Sequence, residues 1–231
     1  MQNTRIADYF EASLIDWEGK IATTCFFSGC NFRCPWCQNG KLLKKTITEL
    51  HKSILSLLEN KKDWIDGVVF GGGEPLLEED AIEFAEEVKK RGFLIKIDTN
   101  GSKPEILKTL IERNLIDYVA LDIKARLNEE NYKVATGTNN FFKEVLESIK
   151  ILIENNIDFE FRTTLVPEII NKEDVIFNLK FIPEKTKYII QKYNPQNALT
   201  PKFRNVKPYP DEYLEEVSNE INKRGRLSWV R

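Results

Sequence analysis

Cys30, Cys34 and Cys37 stand in the stretch Ser28-Gly29-Cys30-Asn31-Phe32-Arg33-Cys34-Pro35-Trp36-Cys37, a C-x3-C-x2-C triplet. Thiolates select soft metals. Three of them on one short loop can hold three irons of a cubane iron–sulfur cluster, which leaves the fourth iron open to another ligand. An open iron can chelate a substrate and pass an electron into it. The competing arrangement is a four-thiolate zinc knot that recruits Cys25. Cys25, however, falls in a strand-like run with Ile21, Thr23 and Phe27 on its face, the setting of a core thiol. Pro35 and Trp36, between the last two thiols, would stiffen the loop and shield it from water.

Further residues with chemical capacity recur where apolar runs end. Phe70-Gly71-Gly72-Gly73-Glu74-Pro75 places three glycines where backbone can approach a ligand without an intervening Cβ. Glu74 can accept from an amine, and Pro75 suits the first turn of a following helix. Read alone, such a glycine turn is common. Asp98-Thr99-Asn100-Gly101, Asp122-Ile123-Lys124, Arg162-Thr163-Thr164 and Gln191-Lys192-Tyr193 end four more runs. Asp122 and Lys124 share strand parity and point to one face, as do Glu160, Arg162 and Thr164. Burying such groups costs several kcal/mol unless they are paired or ligand-bound. They form either a salt-bridged interior or a polar ligand site.

The elements that must position these residues alternate. Strands are expected at Ile21–Ser28, Gly67–Phe70, Phe93–Asp98, Tyr118–Asp122, Phe159–Val166 and Lys187–Tyr193. Between them, apolar residues at helical spacing mark helices over 46–60, 78–91, 104–114 and 141–155. Another helix is expected over 211–223 and a short terminal strand over 227–230. Strands separated by helices imply a parallel sheet, doubly wound or an incomplete barrel, with no linker. Both architectures gather function at the C-terminal ends of their strands. All six expected strands carry polar, site-like residues at that end, and this convergence weighs more than any single motif.

Composition narrows the classes. The chain has 231 residues, 42% of them hydrophobic, enough for one large domain with a sizeable core. Its 34 basic and 36 acidic residues nearly cancel, and no basic stripe suggests a nucleic-acid groove. No apolar run approaches the ~20 residues that span a bilayer, and residues 1–16 lack a signal-peptide core. Four cysteines, three of them crowded, point to metal in a reducing compartment, so a cytoplasmic protein is expected.

The cysteine triplet with an aromatic at position 36, followed by Gly72-Gly73-Glu74-Pro75, resembles the radical S-adenosylmethionine superfamily over residues 12–195. Within it the chain is most similar to the glycyl-radical enzyme activating proteins, above all the type acting on anaerobic ribonucleoside-triphosphate reductase. Ser13-Leu14-Ile15-Asp16-x-x-Gly19-Lys20, Gly29-Cys30-Asn31-Phe32-Arg33-Cys34, Asp98-Thr99-Asn100-Gly101, Asp122-Ile123-Lys124 and Phe161-Arg162-Thr163-Thr164-x-x-Pro167 carry the likeness. Two departures stand out. Gln38-Asn39 replaces the family's frequent His-Asn, and Tyr193-Asn194 replaces the Tyr-His pair of pyruvate formate-lyase activases.

The resemblance implies an α/β fold, an incomplete (βα)6 barrel with an open side. Its core would span 12–195, with 196–231 as a short extension packed on it. It implies that Cys30, Cys34 and Cys37 ligate a [4Fe–4S] cluster whose open iron takes S-adenosylmethionine. Trp36, Cys37 and Gln38 would meet the adenine, and Gly72, Gly73 and Glu74 the methionine amine. Asp98, Asn100, Asp122, Ile123, Lys124 and Arg162 would hold the ribose and methionine ends, with Gln191 and Tyr193 nearby. A monovalent cation near Asp98, Thr99 and Asp122 is part of the same expectation. A reduced cluster would cleave the sulfonium to methionine and a 5′-deoxyadenosyl radical, which removes a glycine hydrogen from a partner enzyme. Flavodoxin or ferredoxin would supply the electron. Two other classes compete. A small-molecule enzyme of the 7-carboxy-7-deazaguanine synthase type would want an acidic or hydroxyl pair where Gln38 and Asn39 stand. An electron-transfer or zinc module would leave the polar rim without a role.

Overall fold

The computed structural model describes residues 3–138 and 141–231. Among these, seven strands form one sheet in the order β1 (Ile6–Ser13), β2 (Ala22–Phe27), β3 (Gly67–Gly72), β4 (Leu94–Thr99), β5 (Tyr118–Asp122), β6 (Asp158–Leu165) and β7 (Lys187–Lys192). β2 to β7 are parallel, and β1 lies antiparallel on β2 with Tyr9 opposite Cys25. A doubly wound sheet reverses its strand order at a switch point. Here spatial order follows chain order throughout, so the sheet is wound in one sense, as in a barrel, and β1 and β7 remain unjoined edges. The incomplete barrel is therefore the architecture, with one strand more than the six expected.

The parallel strands are nearly continuous apolar runs, as two covered faces require. Residues 67–71 of β3 are all buried, and Phe70 stacks on Phe84 at 5.2 Å between ring centres. The helices are α1 (Leu50–Asn60), α2 (Asp80–Lys90), α3 (Pro104–Glu112), α4 (Glu129–Thr136), α5 (Phe142–Glu154), α6 (Lys172–Asn178), α7 (Pro201–Arg204) and α8 (Asp211–Lys223). α2 buries Ala81, Phe84, Ala85 and Val88, the i, i+3, i+4, i+7 stripe of a helix lying on a sheet. Gly92 follows it at φ +86°, the left-handed conformation that ends a helix readily when no Cβ is present.

The β7 edge is covered. The C-terminal segment runs beside β7, where the Tyr188 and Ile190 amides donate to Leu227 O (2.9 Å) and Trp229 O (3.1 Å). Arg231 then ion-pairs with Glu160 of β6 (2.9 Å) and Glu18 of the β1–β2 connection (3.1 Å). Covering a strand edge in this way removes a site for unwanted pairing.

At the other edge β1 brings in Arg5, which is fully buried. Its Nη1 donates to Ser28 O (3.1 Å) and Glu74 O (3.0 Å), and its Nη2 to Pro75 O and Asp80 Oδ1 (both 2.7 Å). One guanidinium thus joins the start of the cysteine loop, the glycine turn after β3 and the N-terminus of α2. Stripping one partner from a buried ion pair typically costs about 3–5 kcal/mol. Arg5→Met is expected to destabilise the protein by that order in urea unfolding. Lys52→Ala, which removes the exposed pair with Glu49, should leave the urea midpoint essentially where it is.

Candidate active site

The C-terminal ends of β2 to β7 surround one cavity of about 380 Å³. Each parallel strand contributes: Cys30, Cys34, Trp36, Cys37 and Gln38 after β2, Gly72 and Gly73 at β3, Asp98 and Asn100 at β4. Asp122 and Lys124 follow from β5, Arg162 and Thr164 from β6, and Gln191 and Lys192 from β7.

The cysteine loop is pinned from below and from both flanks. At its start Gly29 has φ +83°, and its amide donates to Leu42 O at 2.7 Å. The glycine turn lies directly against it: Gly73 N donates to Phe27 O and Glu74 N to Gly29 O, both at 2.8 Å. A Cβ on Gly73 would sit 2.2 Å from Gly29 O, so only glycine allows this approach. On one flank the Arg33 amide donates to Thr136 O at the end of α4. On the other, Thr200 N donates to Pro35 O (3.0 Å) and Gln38 Nε2 to Asn194 O (3.0 Å). Trp36 packs near Phe203, so the segment after β7 braces the loop directly.

The three thiols share one wall. Burial pushes Cys30 up to about 11, with Glu74 adding to the rise and the Phe32 amide opposing it. Burial pushes Cys34 up to about 12 against the pull of the Lys124 ammonium. Metal-free, these groups hold their protons, and loading a metal must release them. Cys25 lies fully buried in β2, where burial alone drives its thiol far up. Among the described residues no three His, Cys, Asp or Glu converge on a single metal ion. A cubane asks for a different arrangement, one thiolate per iron.

The facing wall is a charged network. Arg162 Nε donates to Asp122 Oδ1 (2.9 Å), and its Nη1 donates to Asp98 Oδ2 (3.1 Å). Lys124 Nζ donates to Asp122 Oδ2 (2.8 Å), and Lys96 Nζ lies 3.2 Å from Asp98 Oδ1. Burial raises the Asp122 carboxyl, but Arg162 and Lys124 outweigh it and hold the group at about 2. Each aspartate is therefore neutralised by protein cations; Lys96 reaches Asp98 from outside the cavity, and the network that lines the cavity itself is balanced, Arg162 and Lys124 against Asp98 and Asp122.

Three residues expected at the ligand stand elsewhere. Glu74 is fully buried behind the wall, and its carboxylate accepts from Leu76 N (3.0 Å), Thr99 Oγ1 (2.7 Å) and Asn100 N (2.8 Å). It ties β3 to β4 and has no free edge toward the cavity. Ile123 is fully buried, pointing opposite to Asp122 and Lys124, as strand parity dictates. Tyr193 is buried too, its hydroxyl donating to Phe203 O at 2.6 Å. Conversely, Arg5 and Lys96 escaped the sequence reading. Lys96 shares parity with Asp98 inside an apolar run, the signal that singled out Arg162. Arg5 gave none, since only Ile6 of the strand that follows it is fully buried.

The donor set fits a [4Fe–4S] cluster with S-adenosylmethionine. Three thiols line the cavity, a glycine turn offers bare backbone beside them, and a wall of paired charges completes it. Two outcomes follow. Gly73→Ala should lower iron bound per chain severalfold after reconstitution, with the fold kept by circular dichroism, because the cysteine loop must shift. Asp122 binds its proton less readily folded than unfolded, so its stabilisation is present above about pH 4 and lost as pH falls toward 2. Urea unfolding of wild type and Asp122→Asn should differ by on the order of 2 kcal/mol or less near neutrality. That gap should close in acid.

Comparison with known proteins agrees with this geometry. The sequence profile of the Radical SAM superfamily matches residues 24–181. A chain of Methanocaldococcus jannaschii named as a glycyl-radical enzyme activating enzyme, MJ1227, is 34% identical over 96% of this chain and 91% of its own. The pyruvate formate-lyase 1-activating enzyme of Escherichia coli K12 is 29% identical over 71% of this chain and 68% of its own. In fold, QueE from Escherichia coli superposes with a TM-score of 0.63 at 14% identity, covering 99% of this chain and 94% of that one. The protein is thus an enzyme that uses a [4Fe–4S] cluster and S-adenosylmethionine. The chain belongs to the Radical SAM superfamily, and MJ1227, a relative over almost its whole length, is named for glycyl-radical enzyme activation.

Proposed function

We propose that this protein installs a glycyl radical on a large partner enzyme, and that the partner is an anaerobic ribonucleotide reductase. The observation that carries the reading is the near-complete match to a relative named for glycyl-radical enzyme activation, joined to a thiol triad at the mouth of an unclosed barrel. The barrel's open side suits a partner's backbone loop, which a closed site would turn away. When bound, the cluster and S-adenosylmethionine supply reductive cleavage to methionine and a 5′-deoxyadenosyl radical, with the electron drawn from a flavodoxin or ferredoxin.

The chain's own residues bind, orient and exclude water. Cys30, Cys34 and Cys37 hold three irons. The backbone at Gly72 and Gly73 would receive the methionine amine, and Arg162 and Lys124, held in place by Asp98 and Asp122, would meet its carboxylate. Asp98 and Asp122, fixed by those cations, offer spare lone pairs to ribose hydroxyls. Trp36 and Phe32, 6% and 2% exposed, close the thiol wall to solvent. The site would hold a partner glycine Cα beside the bound cofactor, so that one hydrogen atom could pass to the deoxyadenosyl group and leave the radical on the partner. Holding the two carbons in register is the main catalytic service the fold provides.

The test is EPR of the anaerobic reductase from the same organism after incubation with reconstituted enzyme, S-adenosylmethionine and a low-potential reductant. A glycyl doublet on the reductase, lost with Cys34→Ala, is expected. No doublet there, with one formed on a different glycyl-radical enzyme, would reject the reductase and keep the activase.

A further inference from the structure

Asn100 was expected to meet S-adenosylmethionine and lines the cavity; its side-chain hydrogen bonds turn its amide toward the cysteine loop. The Ser102 backbone N–H, which can only donate, meets the Asn100 side chain at 2.9 Å, so the atom there must be Oδ1. Nδ2 therefore faces the other way, where it donates to Asn31 Oδ1 (3.1 Å) and reaches Cys30 Sγ at 3.8 Å. Asn31 Nδ2 in turn donates to Ser102 Oγ (2.8 Å), closing a ring of side chains between the cysteine loop and the loop after β4. The Asn100 backbone is anchored as well, since its amide donates to the buried Glu74 carboxylate at 2.8 Å. The residue is 6% exposed, so solvent does not compete for its amide. Among the described residues, Cys30 alone of the three thiols receives a side-chain hydrogen bond. The Phe32 amide adds a backbone donor to the same sulfur at 3.4 Å.

We propose that Asn100 is a positioning residue for the cluster, whose Nδ2–H bond to Cys30 Sγ raises the cluster's electron affinity. The physical reason is charge. A reduced cluster carries one more negative charge than the oxidised form, and part of it resides on the cysteine sulfurs. A donor held at one of those sulfurs stabilises the reduced state more than the oxidised one and so raises the reduction potential. The low dielectric of a buried site strengthens the effect. Fixing the donor in place by four other hydrogen bonds means that it need not reorganise when the electron arrives. The inference rests on the cluster assigned above.

Its test is an EPR-monitored redox titration of the reconstituted protein without S-adenosylmethionine. Asn100→Ala should shift the midpoint to more negative potential at unchanged iron and sulfide content. Asn100→Asp should shift it further, because the Ser102 amide would keep one carboxylate oxygen and the other would face the thiolate. A second readout needs no variant. In wild type carrying asparagine labelled with 15N at the side-chain amide, pulsed EPR of the reduced cluster should resolve a coupling to that nitrogen. A midpoint unmoved in a fully loaded Asn100→Ala would overturn the proposal. If the variants load no cluster, a wild-type spectrum without the coupling would do the same. Failure of the wild type itself to assemble a cubane is a separate result, which removes the cluster reading first.

Discussion

The contact on which the rest depends is the approach of Gly73 to the Gly29 carbonyl, closer than any side chain would allow. It sets the glycine turn after β3 flush against the first residues of the cysteine loop, through two backbone hydrogen bonds of 2.8 Å. The Arg5 guanidinium locks the same junction from beneath by bonding carbonyls on both sides of it. Glu74 passes the constraint on to β4 through Thr99 and Asn100. A loop holding a redox cluster cannot wander, because an electron must arrive at a fixed distance from the bond it breaks. Two glycines and two buried side chains, Arg5 and Glu74, achieve that here without using the cysteine side chains, which are left to act as ligands.

The opposite wall solves a different problem. Five largely buried charged side chains, four of them lining the cavity, would be costly if any stood alone. Lys96, Asp98, Arg162, Asp122 and Lys124 form an alternating chain in which every carboxylate has two cations. The pairing fixes the guanidinium and the ammonium in space before any ligand enters. Two charges expected from strand parity to face one way, Glu160 and Arg162, do different work. Arg162 reaches the cavity, while Glu160, two residues nearer the strand's start, meets Arg231 and Tyr118 at the far end of the barrel.

Much of this was legible in the sequence, for identifiable reasons. The six parallel strands are apolar runs bounded by turn residues, and their boundaries in the structure lie within about two residues of those expected. β1 was not legible. It is an edge strand whose alternation is nearly all half-buried or exposed, so periodicity had nothing to detect. α4 was missed because its inward face is only Tyr132, Ala135 and Thr136. α6 did carry a signal, the Asn171–Asp174 capping box. The choice between a doubly wound sheet and an incomplete barrel came from the family resemblance alone, because strand order leaves no trace in local pattern. At the site, residue type pointed to the rim but not to the direction of each side chain. Glu74 resembled a ligand by motif and turned out to be a brace, since three backbone and hydroxyl donors lie within its reach.

The most direct measurement is Mössbauer spectroscopy of 57Fe-reconstituted protein, recorded with and without S-adenosylmethionine. The structure predicts one cubane per chain with three irons in thiolate sites and a fourth whose isomer shift changes when S-adenosylmethionine binds. It also predicts the same spectrum from Cys25→Ser, because that thiol lies in the core. A cluster with four equivalent thiolate irons that ignores S-adenosylmethionine, or a tight zinc site lost in Cys25→Ser, would contradict the account.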